Sequence, residues 1–139
     1  VTVRESASGN ELKVNSDGSL NANIVQGVVG DEKHEYGISS SIAPNTPTNV
    51  INYTVTALKT FLFKQFQAAC SGKCKVEVKV GPAGANTKAV GFISTANGMI
   101  EVKFAQPIEV AAGDKIMVVM TNKDNANTDL YAFINGNEV

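Results

Sequence analysis

The chain contains no tryptophan, one histidine and two cysteines among its 139 residues. Without Trp it lacks the core residue expected of an immunoglobulin-like sandwich. Only three Tyr, at 36, 53 and 131, are left with the phenylalanines to stack on a sugar. One His gives acid–base catalysis almost nothing to work with. Charge of one sign is missing too. The net charge of −1 argues against a broad electrostatic footprint on nucleic acid or an anionic membrane. No apolar run approaches the roughly 18 residues of a membrane span; IMVVM, at Ile116–Met120, has the length of a buried strand.

What is present suits a folded protein: 43% hydrophobic and 18% charged residues, in a length that forms one ordinary domain. The apolar residues seldom recur at helical spacing but repeatedly alternate. KVEVKV places Val76, Val78 and Val80 on one face and Lys75, Glu77 and Lys79 on the other; MIEVKFA does the same with Ile100, Val102 and Phe104. Further strands are expected near EYGISSSI, NVINYTVT, KTFLFKQF, KAVGFIS, DKIMVVMT and DLYAFING. APNTPT, CSGK, GPAGANT, TANG, AAGD and NKDNANT punctuate them with turn residues. About eight such strands predict an all-β fold, a jelly-roll-like antiparallel β-sandwich over residues 34–139. Two places break the alternation. In TFLFKQF the apolar parity changes between Phe63 and Phe66, which calls for a β-bulge or a bend between sheets. IMVVM is apolar on both faces, so its outer face is either covered or an interface.

Residues 1–33 differ in character. Val1, Val3, Leu12, Val14, Leu20 and Ile24 keep strand-like patterning but are separated by Ser, Asn, Gly and charge, with no aromatic before Tyr36. Such pieces cannot bury enough to offset about 1–2 kcal/mol of backbone entropy per residue on their own. They are expected to form an extended N-terminal arm in which these six residues bind a partner chain, where strand addition supplies the affinity.

Chemistry is scarce. Asp31, Glu32, His34 and Glu35 fall within one run of five residues, so an extended chain cannot converge them, and a charged linker is expected there. Cys70 and Cys74 flank SGK, read as a hairpin turn; free thiols or a local disulfide are both open. A zinc site would need two more ligands. Asn125, Asn127 and Asp129 have the first spacing of a calcium loop, but Leu130 replaces its glycine and no Glu closes it, so a polar hairpin loop is expected. Asn52-Tyr53-Thr54 is a sequon inside an expected strand. No catalytic residue, metal site or cofactor is expected, and the chain is not read as an enzyme.

The stretch from Tyr36 onward resembles small jelly-roll structural proteins of tailed bacteriophages. The resemblance rests on the order PNTPTNVINYTV, LKTFLFKQFQ, GKCKVEVKV and MIEVKFAQPIEVAAGDKIMVVMTN, and above all on Phe104, Pro107, Ile108, Val110, Gly113, Asp114 and Ile116 in F-x-x-P-I-x-V-x-x-G-D-x-I. The opening VTVRESASGNELKVNSDGSLN also looks like the leading segments of phage virion proteins. The resemblance implies a capsid decoration or cement protein, a homotrimer on the virion surface assembled in the host cytoplasm. Its partners would be the major capsid protein and copies of itself, with no nucleic acid and no membrane. Similar pieces occur in carbohydrate-binding modules, so a tail- or fibre-associated adhesin is the alternative expectation.

Overall fold

In the computed structural model the described residues are 2–4, 11–14, 16, 20–21 and 30–139. Three short strands come first: β1 (Thr2–Arg4), β2 (Glu11–Val14) and β3 (Leu20–Asn21). They are followed by β4 (Asp31–Ile42), β5 (Pro47–Thr54), β6 (Phe61–Cys70), β7 (Cys74–Gly81), β8 (Asn86–Ile93), β9 (Met99–Val110), β10 (Lys115–Asn122) and β11 (Thr128–Glu138). These eight make two four-stranded antiparallel sheets, ordered β4-β11-β6-β9 and β5-β10-β7-β8. The expected antiparallel β-sandwich is therefore present. Its pairing is nested: β4 with β11, β5 with β10, β6 with β9 and β7 with β8.

The alternating residues build the core between the sheets. Val76, Val78 and Val80 of β7 face Ile116, Val118 and Met120 of β10 across their shared register, and all six are buried. Each such side chain contributes about 1.5–3 kcal/mol on leaving water. From the other sheet come Phe61, Phe63 and Phe66, with Leu130 and Ile134. Phe63 meets Phe104 edge-on at 5.0 Å between ring centroids, a favoured aromatic geometry. All three β6 phenylalanines point inward because the strand takes one extra residue. Against β11, Gln65 lies opposite Asn135 and Phe63 opposite Gly136, so Lys64 is the extra residue and is turned out to solvent. The parity change in the sequence is thus a β-bulge.

Two local expectations are corrected, and one open alternative is settled. The charged run at Asp31–Glu35 is not a linker: it opens β4, where Asp31, Glu32 and Lys33 pair with Glu138, Asn137 and Gly136. The sandwich therefore begins three residues before position 34. Charged side chains on an edge strand read like a linker in sequence, because half of such a strand is solvated. Second, CSGK and NKDNANT are not hairpins. Each carries the chain from one sheet to the other, and among β4–β11 only β7 and β8 are consecutive strands paired with each other. Third, the outer face of IMVVM is covered within the chain. Met117 lies under the 3₁₀ turn Pro82–Gly84, so closely that a Cβ at Gly84 would overlap its sulfur. Val119, between Asn49 and Glu77 on the neighbouring strands, is only 8% exposed.

Two polar clusters fasten the sheet crossings. Asn122, fully buried, donates from Nδ2 to the carbonyls of Ile42 and Ala126, both at 2.8 Å. Its Oδ1 accepts from the Asp124 backbone N–H at 2.8 Å and the Thr128 hydroxyl at 3.1 Å. At the other end Glu138 accepts hydrogen bonds from the hydroxyls of Tyr53 and Thr56. Beyond it, Val139 and Thr60 exchange both backbone hydrogen bonds at 2.9 Å.

Candidate interaction surface

The sheet β4-β11-β6-β9 turns one face to the core and the other to solvent. Register alone places Ile38, Tyr131, Ala69 and Met99 in one row across all four strands of the outer face. The next row is Tyr36, Phe133, Gln67 and Glu101, and the third is His34, Asn135, Gln65 and Lys103. The first row is apolar from edge to edge, and Tyr36 and Phe133 extend it on one side. Tyr36 is 78% exposed, Ile38 61% and Met99 62%. Large apolar residues gathered like this mark a binding surface more often than single exposed ones do.

The face is not flat. Ala69 and the adjoining Ala68 and Ala132 backbone leave a dip between the Tyr131–Phe133 ridge of β11 and Met99 of β9. This groove, of about 130 Å³, is also lined by Gln67. The charged residues flanking it along the strands are Glu101, two positions past Met99 on β9, and Asp129, two before Tyr131 on β11. The Asp129 carboxylate accepts the Ser41 N–H at 2.8 Å, and Glu101 meets Lys103 at 3.7 Å and the Gln65 amide at 2.9 Å. His34 stacks on Phe133 with centroids 5.8 Å apart and faces Glu32 at 3.6 Å. Asn135 gives its Nδ2 to Gln65, while its Oδ1 is buried without a donor. The arrangement offers apolar contact, aromatic edges and a few amides.

The outer face of the other sheet carries a contrasting patch. On its edge strand β8, Lys88, Val90 and Phe92 point outward, beside Lys75, Glu77 and Lys79 of β7. Glu77 sits between Lys75 at 3.3 Å and Lys79 at 4.0 Å. The edges of the two sheets meet where a Cβ at Gly91 would press on Ile100 Cδ1, at 2.7 Å.

Other residues singled out by sequence fall as follows. Cys70 and Cys74 are buried free thiols whose sulfurs are 2.8 Å apart, Cys74 donating to Cys70 and Cys70 to the Gly72 carbonyl. Burial, and then the contact with Cys70, pushes the Cys74 thiol strongly upward, which disarms it as a nucleophile. The intervening turn packs on the 122–128 loop, and a Cβ at Gly72 would come within 2.6 Å of the Asp124 carboxylate. Asp124 accepts the N–H groups of Lys73 and Asn125. The two carboxylates of this loop region, Asp124 and Asp129, thus serve backbone donors. Among the described residues no three His, Cys, Asp or Glu side chains gather as metal ligands, and no helix is long and apolar enough to cross a membrane.

Of the arm residues, Val3 lies on β1, Leu12 and Val14 on β2 and Leu20 on β3; Val1 and Ile24 lie outside the described residues. These strands pair with one another, Val3 opposite Leu12 and Val14 opposite Leu20. Sequence reasoning passed over two features. LYAFI has the same both-faces-apolar signature as IMVVM, and it supplies the ridge of the groove. Leu58, 98% exposed at the turn between β5 and β6, holds a left-handed φ of 63°, and no local pattern announced it.

The burial of Glu138 pushes its carboxyl up, but the Tyr53 and Thr56 hydrogen bonds outweigh this and hold it below the usual carboxylate range. Tyr53 is pushed up to about 12, by burial first and then by Glu138. Opposite shifts in one hydrogen-bonded pair mark a structural lock here, since both groups fasten strand ends. No protein-family model matches the chain, and no curated protein matches it in sequence.

Proposed function

We propose that this chain is a structural virion protein, a decoration or cement protein of a tailed-phage head. It would bind the outside of the shell through packed surfaces rather than act on a substrate. The observation that carries this reading is the edge-to-edge apolar row Ile38–Tyr131–Ala69–Met99, a surface for a protein partner. The nested strand pairing, which we read as jelly-roll connectivity with its two Greek keys, supports it as architecture. In this reading the protein is a homotrimer on the capsid surface, assembled in the host cytoplasm, and its partners are the major capsid protein and its own copies. Many weak contacts repeated over a lattice then stabilise the shell collectively. The N-terminal segment is the second contact.

Undecorated heads mixed with the purified chain are the test: it should co-sediment with them and raise their disruption temperature. Heads that neither bind it nor gain stability overturn the proposal. Deleting residues 1–29, which spares the Asp31–Lys33 pairing with β11, should leave a folded sandwich with weakened shell binding. Undiminished binding would refute the arm's part in it.

A second reading, a carbohydrate-binding module on a tail or fibre, is favoured by one observation. Tyr36 and Tyr131 share their face with the Gln67 amide, groups that suit a sugar's ring face and hydroxyls. Saturable glycan-array binding lost in Tyr36→Ala would decide for it.

A further inference from the structure

We infer that the groove on the outer face of the β4-β11-β6-β9 sheet is filled by a second copy of this chain, which enters it with Phe92 of its β8. The inference rests on the reading of this face as an interaction surface and names its occupant.

Three observations converge. The first is size. The groove measures about 130 Å³, and a cavity of about 150 Å³ holds a benzene ring. Phe92, 53% exposed with Val90 two residues away on the same outward side, is a projecting aromatic of that dimension. The second is charge. Around Phe92 the ionised side chains are Lys75, Lys79 and Lys88, offset only by Glu77, whereas the groove is bordered by Glu101 and Asp129. Lys103 pairs with Glu101 at 3.7 Å and offsets one of these two, which leaves one net negative charge at the groove against two net positive charges around Phe92. Apposed, the two patches would bring basic and acidic rims together, the complementarity that fixes register between protein surfaces.

The third is placement. Phe92 and the groove lie on the outward faces of opposite sheets, whose edges meet at Gly91 and Ile100. A copy therefore cannot fill its own groove. Knob and groove are different surfaces, so the contact is head-to-tail and each copy has one of each to offer. Such contacts propagate until the rotation closes them into a ring.

Sedimentation of the full chain without shells tests this directly, with two surface variants. Phe92→Ser removes the knob, and Ala69→Arg fills the groove. Each should retain the wild-type melting curve and lose self-association about thirty-fold or more, as truncation of an interface hot spot does. The decisive sample is their equimolar mixture. The groove of the Phe92→Ser chain is intact, as is the knob of the Ala69→Arg chain, so the mixture should form a two-chain species and stop there. Phe92→Trp adds an optical reading in a chain with no other Trp: emission should shift to the blue as concentration rises.

Wild-type chains that stay monomeric at 100 micromolar-scale concentrations, variants that associate like wild type, or a mixture that remains monomeric would each overturn the inference. Because no shell is present, the decoration reading is judged separately. A wild-type oligomer that ignores undecorated heads refutes decoration and leaves the head-to-tail contact standing. Monomeric wild-type chains that still coat heads do the reverse.

Discussion

Replacing Asn122 with Ala should cost far more stability than any other single change in the 122–128 loop. The side chain makes four hydrogen bonds and has no exposed surface. At about 1 kcal/mol net per bond, their loss sets a scale of about 4 kcal/mol. Two partners recover part of it. The Ala126 carbonyl is on an exposed residue and rehydrates, and the Thr128 hydroxyl has the Ala126 carbonyl at 3.4 Å as a second acceptor. The Ile42 carbonyl and Asp124 N–H are on half-buried residues and bear more of the loss. The net expectation is about 3 kcal/mol, a large share of the roughly 5–15 kcal/mol that holds a domain folded. For a urea slope near 2 kcal/mol per molar, the midpoint should fall by about 1.5 M. Asn125→Ala, on an exposed residue of the same loop, should shift it by less than about 0.3 M. Asn122→Asp would turn a carboxylate oxygen toward two carbonyls, so its deficit should shrink as pH falls and the carboxyl gains a proton to donate. A loss below about 1 kcal/mol for Asn122→Ala would refute the view that this residue fastens the crossing between sheets.

Glu138, whose carboxyl is held low, contributes stability above its unfolded titration, and this is lost as pH falls through its folded value. Tyr53, pushed up to about 12, contributes below its unfolded value near 10 and loses this as pH rises toward 12. Tyr53→Phe should therefore cost about 2 kcal/mol at pH 7 and flatten both limbs of a stability–pH curve; unchanged limbs would refute the lock. Neither Cys70 nor Cys74 should react with a thiol reagent in the native protein at neutral pH, and both should react in denaturant; fast native labelling would contradict their burial. Leu58→Asn should raise stability by about 0.5–1 kcal/mol in chemical denaturation, since Asn tolerates the left-handed conformation better; a loss would mean the leucine makes a contact that matters.

The alternation of Val76–Val80 and Ile100–Phe104 made the strands legible, and the parity change at Lys64 made even the bulge legible, because each depends only on a period of two along one strand. What could not be read is decided by neighbours across strands. IMVVM and LYAFI look alike as strings. Val119 lies between Asn49 and Glu77 and is covered, whereas Tyr131 lies between Ile38 and Ala69 and borders an open groove. The pairing partners are distant in sequence, so the difference between a covered face and a free one is invisible before the sheet order is known. The turns at CSGK and NKDNANT misled for the same reason. Their residues specify a reversal, and which sheet the chain enters next is fixed by the strands waiting there.

The nested pairing also has a consequence for synthesis. Of the eight sandwich strands, the two made last, β10 and β11, are interior strands, one between β5 and β7 and the other between β4 and β6. Until they arrive neither sheet can close, and four unpaired strand edges stand open to other nascent chains. Folding must wait for translation through Glu138, and the long sequence separation of the outermost pair makes it slow. A ribosome that stops before β10 releases a fragment with both sheets split, which proteases and chaperones can tell from the finished protein. Synthesis through β11 is thus a checkpoint: only copies that contain it can close the two sheets.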